Sequence, residues 1–371
     1  MKGFQKFVKQ SWDFYLTALI IVLFLVICDS VYICREEGVA FTGKSIEQQV
    51  KSELAQDKGA GNIRETLLEG NKLCGAIEDK ADSASVMGYY ITILGIMVLL
   101  AARKYYFTDI RVAEFMETLP VKKSSRVLYD YLSMFAVILA GGLVQVGILL
   151  GCQSRYSHAV AAVLGQEGNT ANDRLLLYMG IYFLFLWLAY TWIYLAMTVT
   201  RNPIAGEVIF VLLYWGGWDV ENYLGWKVGY GVYSGRVDDM LEYNMWYRVE
   251  AFMSPGTFLE ELDVATGTVA GSNMWMMTGI VVLLILLGIG LLVMAAGKRD
   301  LSRGKLFYFP VLDYLFAVAS GAILSAWLAD MVFYNYNYEG IALVVGIIGG
   351  FLIFRLVHPA SVKKSAGWEV K

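Results

Sequence analysis

Eight long apolar stretches limit what this chain can fold into more than any other feature of its sequence. A helix needs about 20 mainly apolar residues to cross the hydrocarbon core of a bilayer. The stretches that meet or approach this length are Leu16–Ile33, Val86–Ala102, Val127–Leu150, Leu175–Val199, Ile204–Tyr223, Met274–Ala296, Phe309–Phe333 and Gly340–Val357. Because they are continuously apolar rather than alternating, they predict helices and not membrane β-strands. We therefore expect an all-α integral membrane protein, a polytopic bundle of about eight transmembrane helices.

The number of spans is the open part of this prediction. The second stretch is short and the fifth is interrupted by Gly216 and Gly217, so six or seven spans are the alternatives. The composition agrees with a membrane protein, since 57% of the 371 residues are hydrophobic and 17% are charged, against about 45–50% and about 25% in soluble domains. A net charge of −3 offers no basic patch for a polyanion. These values exclude a disordered protein, a nucleic-acid binder and an ordinary soluble enzyme.

The basic residues predict which side of the membrane each segment faces. With the N-terminus inside, Lys and Arg are denser in the segments that face the cytoplasm, which places both termini there. Arg103 is one of the basic residues assigned to a cytoplasmic loop. The first apolar stretch follows Lys2, Lys6 and Lys9 but exceeds a signal-peptide core and lacks a clear cleavage site, so we interpret it as a retained anchor. The expected location is the cell membrane, crossed several times and in contact with its lipids.

Two polar segments between the spans are long enough to fold outside the cell. The first, Cys34–Ser85, has a helical pattern of apolar residues, and the second, Glu221–Asn273, is rich in acidic and aromatic residues. Tyr and Trp at this density are typical of the outer membrane interface, and contact with a substrate is the alternative. The predicted organisation is an anchor over 1–33, an insert over 34–85, spans 2–5 over 86–220, the aromatic segment over 221–273, and spans 6–8 with a basic tail over 274–371.

Ionisable residues within or beside the spans are candidates for a functional role, because a charge in the bilayer is costly unless it faces a cavity or a partner. Glu207 and Asp313 each follow a basic cytoplasmic loop, and together with Asp330 they are the candidates for a gate or an intramembrane charge. Asp29 and Asp130 lie near the ends of the first and third spans, where solvation is the simpler interpretation. The acids lie too close to the interfaces to predict a proton relay across the membrane.

The cysteines and histidines indicate less about function than the charged residues do. Cys34 and Cys74 bracket the first external segment, where a disulfide between them is an alternative to two free thiols. Cys28 and Cys152 lie in or beside apolar stretches, where a buried thiol is the usual state. With only two histidines and no cysteine spacing typical of zinc, the sequence predicts no metal site.

The cytoplasmic stretch after the second span carries the most informative motif. Thr108 is placed to cap a short helix, and Pro120 ends it, because the residue before a proline disfavours helical geometry. The result is an amphipathic helix over 108–119 in which Glu114 and Glu117 lie one turn apart. Its candidate partner-binding residues are Asp109, Ile110, Arg111, Glu114, Phe115, Glu117, Leu119 and Pro120. The alternative is an interfacial helix that only positions two spans.

The sequence RVAEFMETLPVKKSSRVLYDYLS, which starts at Arg111, resembles the E-x-x-x-x-L-P-V-(K/R)-(K/R) signature of type-two ABC exporter permeases, particularly those of Gram-positive peptide- and drug-resistance operons. MSPGTF at Met253–Phe258 is similar to a further feature of that family. The basic stretch Ala295–Pro310 is similar to another, although it lacks the usual acidic residue. The resemblance implies that the helix over 108–119 is the coupling helix, which docks on a separate ATP-binding subunit. It also implies a second permease subunit, either a copy of this chain or a sister chain.

The resemblance implies no nucleotide chemistry within this chain. The sequence contains no G-x-x-x-x-G-K-(S/T) loop, so ATP and Mg²⁺ would be bound by the partner subunit and this chain would not itself be an enzyme. The implied function is export of an amphipathic cargo such as an antimicrobial peptide, a drug or a lipid-like molecule. The alternatives are a secondary transporter, and a non-transporting sensor or assembly protein whose external segments bind a partner.

Overall fold

The structure, a computed structural model, describes residues 11–36, 89–108, 122–165, 172–200, 204–214, 255–264, 266–269, 271–297, 309–331 and 339–357, together with isolated positions between them. It confirms the all-α class. The helices are α1 Trp12–Glu36, α2 Tyr89–Thr108, α3 Lys123–Leu164, α4 Asn172–Val199, α5 Ile204–Tyr214, α6 Pro255–Glu260, α7 Met274–Gly297, α8 Pro310–Met331 and α9 Glu339–Val357.

Five of the described helices, α1, α3, α4, α7 and α8, are long and apolar enough to cross a membrane. The apolar parts of α5 and α9 that the structure describes are shorter. Large apolar side chains such as Phe24, Leu283 and Val318 are exposed on α1, α7 and α8. In water such exposed surfaces would promote aggregation, whereas in a bilayer they contact lipid. The chain is therefore a multi-pass membrane protein, and the count of eight spans stays a prediction.

Helices α1 and α3 belong to the first of two compact units, Met1–Tyr190 with Ala251–Ile285, and they pack in parallel. The contacts advance together along both helices: Tyr15 meets Asp130, Val22 packs on Gly141, and the side-chain amide of Gln145 donates to Asp29 at 2.7 Å. A parallel pair requires the chain between them to cross back, which is the role of α2.

Helix α2 runs antiparallel to α1 and α3, because Arg103 near its end contacts the residues that begin the other two helices. Helix α4 is antiparallel to α3: the Tyr190 hydroxyl donates to the Tyr131 carbonyl at 2.7 Å, while Phe183, earlier in α4, packs on Gly142, later in α3. The four helices therefore alternate up, down, up, down.

A small sheet, which the sequence patterns did not predict, precedes α7. Its strands β1 Leu262–Asp263, β2 Thr268–Val269 and β3 Ser272–Asn273 pair antiparallel in the order β1-β2-β3. The short helix α6 comes directly before it, and its Phe258 packs edge-on against Phe185 of α4, with ring centroids 5.6 Å apart. Asn273 then caps α7 by accepting from the backbone N–H of Trp275 at 2.9 Å.

The second unit comprises Thr191–Glu250 with Leu286–Lys371, and its main described feature is the antiparallel pair α8 and α9. The two backbones come close where glycines face each other: a Cβ added at Gly321 would lie 2.8 Å from the carbonyl oxygen of Gly346, and one at Gly350 would lie 2.8 Å from that of Ala317. Small residues allow this close approach between membrane helices, where van der Waals packing drives association.

Candidate functional site

Three polar side chains from three helices meet in the interior of the first unit. Arg103 comes from the last turns of α2, Asp130 from near the start of α3, and Tyr15 from the first turn of α1. Arg103 is completely buried and Asp130 is 5% exposed. We call these three residues the polar clamp, because they connect the start of α1, the end of α2 and the start of α3, which lie on the same side of the unit.

The hydrogen bonds of the polar clamp form a closed triangle. Arg103 donates through Nε to Asp130 Oδ1 at 2.7 Å and through Nη2 to the Tyr15 hydroxyl at 2.7 Å. That hydroxyl in turn donates to Asp130 Oδ1 at 3.0 Å. The guanidinium also lies over two rings, 4.9 Å from the centroid of Phe14 and 4.5 Å from that of Tyr15. The charge of Arg103 is thus neutralised by a carboxylate and further stabilised by aromatic faces.

An aromatic layer beside the clamp ties α4 to α3. Trp187 donates through Nε1 to the Tyr131 hydroxyl at 2.8 Å, and its ring stacks on Phe135 with centroids 4.8 Å apart. Tyr131 and Tyr190 are both buried, and their ring centroids lie 5.0 Å apart. Because Tyr131 directly follows Asp130, the clamp residue is held in place from its own helix and from α4.

The clamp lies at the base of the connection between α2 and α3. Helix α2 ends at Thr108 and α3 begins at Lys123, so the ion pair holds together the two helices from which that connection emerges. The proposed coupling residues in this connection lie outside the described residues: Asp109, Ile110, Arg111, Glu114, Phe115, Glu117, Leu119 and Pro120. Their helical structure and role stay predictions.

The structure corrects the prediction for Arg103. The sequence assigned it to a cytoplasmic loop, but α2 continues to Thr108 and buries Arg103 completely. Asp130, interpreted as solvated, is buried as well. Both follow from one cause: each charge supplies the partner that makes burial of the other tolerable. The sequence feature that could have predicted this ion pair is the opposite charge of Arg103 and Asp130, which lie at the neighbouring ends of two consecutive spans.

The gate candidates lie in the second unit. Glu207 is in α5 and is 7% exposed; its Oε1 has no hydrogen-bond partner within the part of the chain that the structure describes. Asp313 lies in the first turn of α8 and is completely buried, and Asp330 is in the last turn of the same helix. An acid in the first helical turn is favoured by the helix dipole, which accounts for the position of Asp313 without a gating role.

The cysteines differ from the sequence-based alternative. All four are free thiols in the structure, so a disulfide between Cys34 and Cys74 is absent from it. Cys34 of α1 and Cys152 of α3 are both buried and lie near each other. The parallel packing of α1 on α3 brings these two residues together, and spacing in sequence gives no sign of it.

Comparison with known proteins adds no relative. No family model, curated protein or solved structure matches this chain. Among the residues that the structure describes, no three His, Cys, Asp or Glu side chains are grouped to hold a metal ion.

Proposed function

We propose that this chain is the membrane-spanning subunit of an ATP-driven exporter of the ABC type, with ATP hydrolysed by a separate subunit on the cytoplasmic side. The observation that supports the proposal most is the polar clamp, placed where α2 and α3 enter the connection with the L-P-V-K-K motif. The expected cargo is amphipathic, as the resemblance to peptide- and drug-resistance permeases implies. The partners are the ATP-binding subunit and a second permease chain.

The clamp fits the mechanical need of such a subunit. A movement of a docked ATPase has to shift whole helices and not merely bend a loop. Because Arg103 bonds both Asp130 and Tyr15, a displacement of the 109–121 connection is transmitted to α1, α2 and α3 together. Packed helices joined by buried hydrogen bonds move as bodies between discrete arrangements. In the proposed cycle, each nucleotide state of the partner favours one of these arrangements.

The proposal is tested by isolating the tagged full-length protein from its native membranes in mild detergent. We expect an ATP-binding subunit in stoichiometric amount, with ATP hydrolysis that the permease stimulates. The double substitution Glu114→Lys and Glu117→Lys is expected to remove that subunit from the preparation, because two reversed charges then face its basic groups. Quantitative mass spectrometry and ATPase rates measure both effects.

A matched control reverses two charges elsewhere. Glu260 is exposed and Glu261 is half-buried, both just before the small sheet, so Glu260→Lys with Glu261→Lys should leave the ATP-binding subunit bound. Retention of that subunit by the Glu114 and Glu117 variant would show that these residues do not couple it. A wild-type preparation without any ATPase would overturn the exporter proposal, and Glu207 and Asp313 would then be mutated to test secondary transport.

A further inference from the structure

An apolar groove runs between α8 and α9 on the face of the pair where their glycines meet. Its volume of about 670 Å³ is in the range of about 300–1,000 Å³ that is typical of small-molecule sites. The side chains that line it are apolar apart from Ser325 and the hydroxyl of Tyr314. The central lining residues are Val318, Gly321, Ser325, Gly346, Ile347 and Phe351. Val318 is 73% exposed and Phe351 is 55% exposed, so the groove opens to the side of the helix pair.

In a bilayer, this groove is filled by hydrocarbon. An apolar cavity stays free of water but binds apolar molecules. Beside the groove, α8 and α9 also expose apolar side chains such as Leu315 and Ile348, which are surfaces that lipid covers in a membrane protein. Lipid therefore reaches the opening directly, and an acyl chain is the molecule available to enter it.

The length of the groove matches one leaflet of the bilayer. Its lining extends from Tyr314 to Ser325 in α8 and from Leu343 to Phe354 in α9, which is about 17 Å along each helix. The hydrocarbon core is about 30 Å thick, so each leaflet contributes about 15 Å. A helix of a second copy of this chain would cross both leaflets and would need a groove about twice as long. The dimensions therefore favour one acyl chain over a second copy.

A positive charge lies at the end of the groove where α8 begins and α9 ends. The rings of Tyr314 and Phe354 lie 4.8 Å apart at this end. Arg355 directly follows Phe354, is exposed, and places its guanidinium 5.3 Å from the ring centroid of the groove residue Phe351. Arginine and tyrosine at the end of a membrane helix are typical of the headgroup level. The guanidinium is therefore placed to bind the phosphate of a lipid whose chain lies in the groove.

We propose that the groove between α8 and α9 is a binding site for one anionic phospholipid, with an acyl chain between Val318 and Ile347 and the phosphate at Arg355. The basic residues predict that this end of the helices is cytoplasmic, and the cytoplasmic leaflet is the one that carries anionic lipid. A zwitterionic lipid has the same chains, but its ammonium group weakens the attraction to Arg355. This proposal does not rest on the exporter function.

The affinity is tested by native mass spectrometry of the full-length protein in mild detergent, titrated with dioleoyl phosphatidylglycerol or dioleoyl phosphatidylcholine. We expect one phosphatidylglycerol to bind about five-fold more tightly than phosphatidylcholine, which is the contribution of one basic residue near an anionic headgroup. Arg355→Gln should make the two affinities equal, whereas Arg355→Lys should keep the preference. An Arg355→Gln protein with the wild-type preference would overturn the assignment of the phosphate site.

The position is tested in nanodiscs with a phosphatidylglycerol that carries a photoreactive diazirine in its acyl chain. Peptide mapping should find the label concentrated at 318–325 and 343–351. Val318→Trp should remove this label and lower the affinity for both lipids about ten-fold, which is the effect of excluding about two methylene groups.

Val344→Trp is the matched control, because Val344 is 53% exposed on α9 and lies outside the groove lining. The same atoms added there should change neither the label nor the affinities, which shows that a tryptophan is tolerated on this helix pair. Equal labelling of the groove and of the exposed face of α7 around Leu283 would overturn the proposal. A protein dimer that Val318→Trp dissociates without loss of bound lipid would place a second copy in the groove and would also overturn it.

Discussion

Replacing Arg103 with methionine is expected to destabilise the protein by about 3–5 kcal/mol, because Asp130 is then left as a buried charge without its cation. The substitution keeps an unbranched side chain of similar length but removes the ion pair with Asp130 and the bond to the Tyr15 hydroxyl. The measurement is the thermal or denaturant unfolding of the protein in lipid nanodiscs. The fraction that elutes as a folded monodisperse species should fall in parallel.

Two further variants separate the ion pair from other effects. Lys9→Met removes an exposed lysine that precedes α1 and should change stability by less than about 0.5 kcal/mol. The double variant Arg103→Met with Asp130→Leu replaces both charges with apolar groups and should recover most of the lost stability. If the single and double variants were equally unstable, the loss would come from packing around the guanidinium and not from the stranded carboxylate.

Replacing Gly346 with valine is expected to separate α8 from α9. A Cβ at this position would lie 2.6 Å from the carbonyl oxygen of Gly321 and would overlap the side chain of Ser325. Backbone cannot move aside as a side chain can, so the helices must shift, at a cost of at least about 1–3 kcal/mol. Crosslinking by a short bis-maleimide between cysteines placed at Tyr314 and Phe354, whose rings lie 4.8 Å apart across the pair, should decrease together with the Tm.

Gly279 of α7 offers the control for that variant. A Cβ there meets nothing within 4 Å, so Gly279→Val adds the same atoms to an apolar helix without displacing a neighbour. We expect it to keep wild-type stability and full crosslinking between positions 314 and 354 in the same background. A Gly346→Val protein that matched the Gly279→Val protein in both assays would show that the close glycine contact contributes nothing to the pairing of α8 and α9.

The sequence was sufficient to predict the fold class and several of the helices, because a long, continuously apolar stretch in a bilayer folds as a helix. The stretches Met274–Ala296 and Gly340–Val357 agree with α7 and α9 within a residue or two at each end. The helices exceed the apolar stretches where charged residues continue them. Helix α2 continues to Thr108 and α3 continues to Leu164. A helix can continue through polar residues when they find a partner or water, and the hydropathy of the sequence does not show where this happens.

The candidate site was only partly predictable, because the sequence of one helix does not reveal which residues of another helix it contacts. The charge of Asp130 was visible in the sequence, but its burial depends on Arg103 arriving from α2 and Tyr15 from α1. The proximity of Cys34 to Cys152 depends in the same way on the parallel packing of α1 on α3. A local motif can indicate a short helix, whereas the clamp forms only when the helices are assembled.

The order of the clamp residues along the chain also affects the insertion of the helices into the membrane during synthesis. Arg103 leaves the ribosome before Asp130 does, so its charge reaches the translocon when only Tyr15 of the earlier helix is available to it. An arginine at the centre of a membrane helix opposes insertion by about 2.5–3.5 kcal/mol, and one near a helix end is held at the lipid headgroups until a partner arrives. Helix α2 is therefore expected to reach its final depth only after α3 has been synthesised.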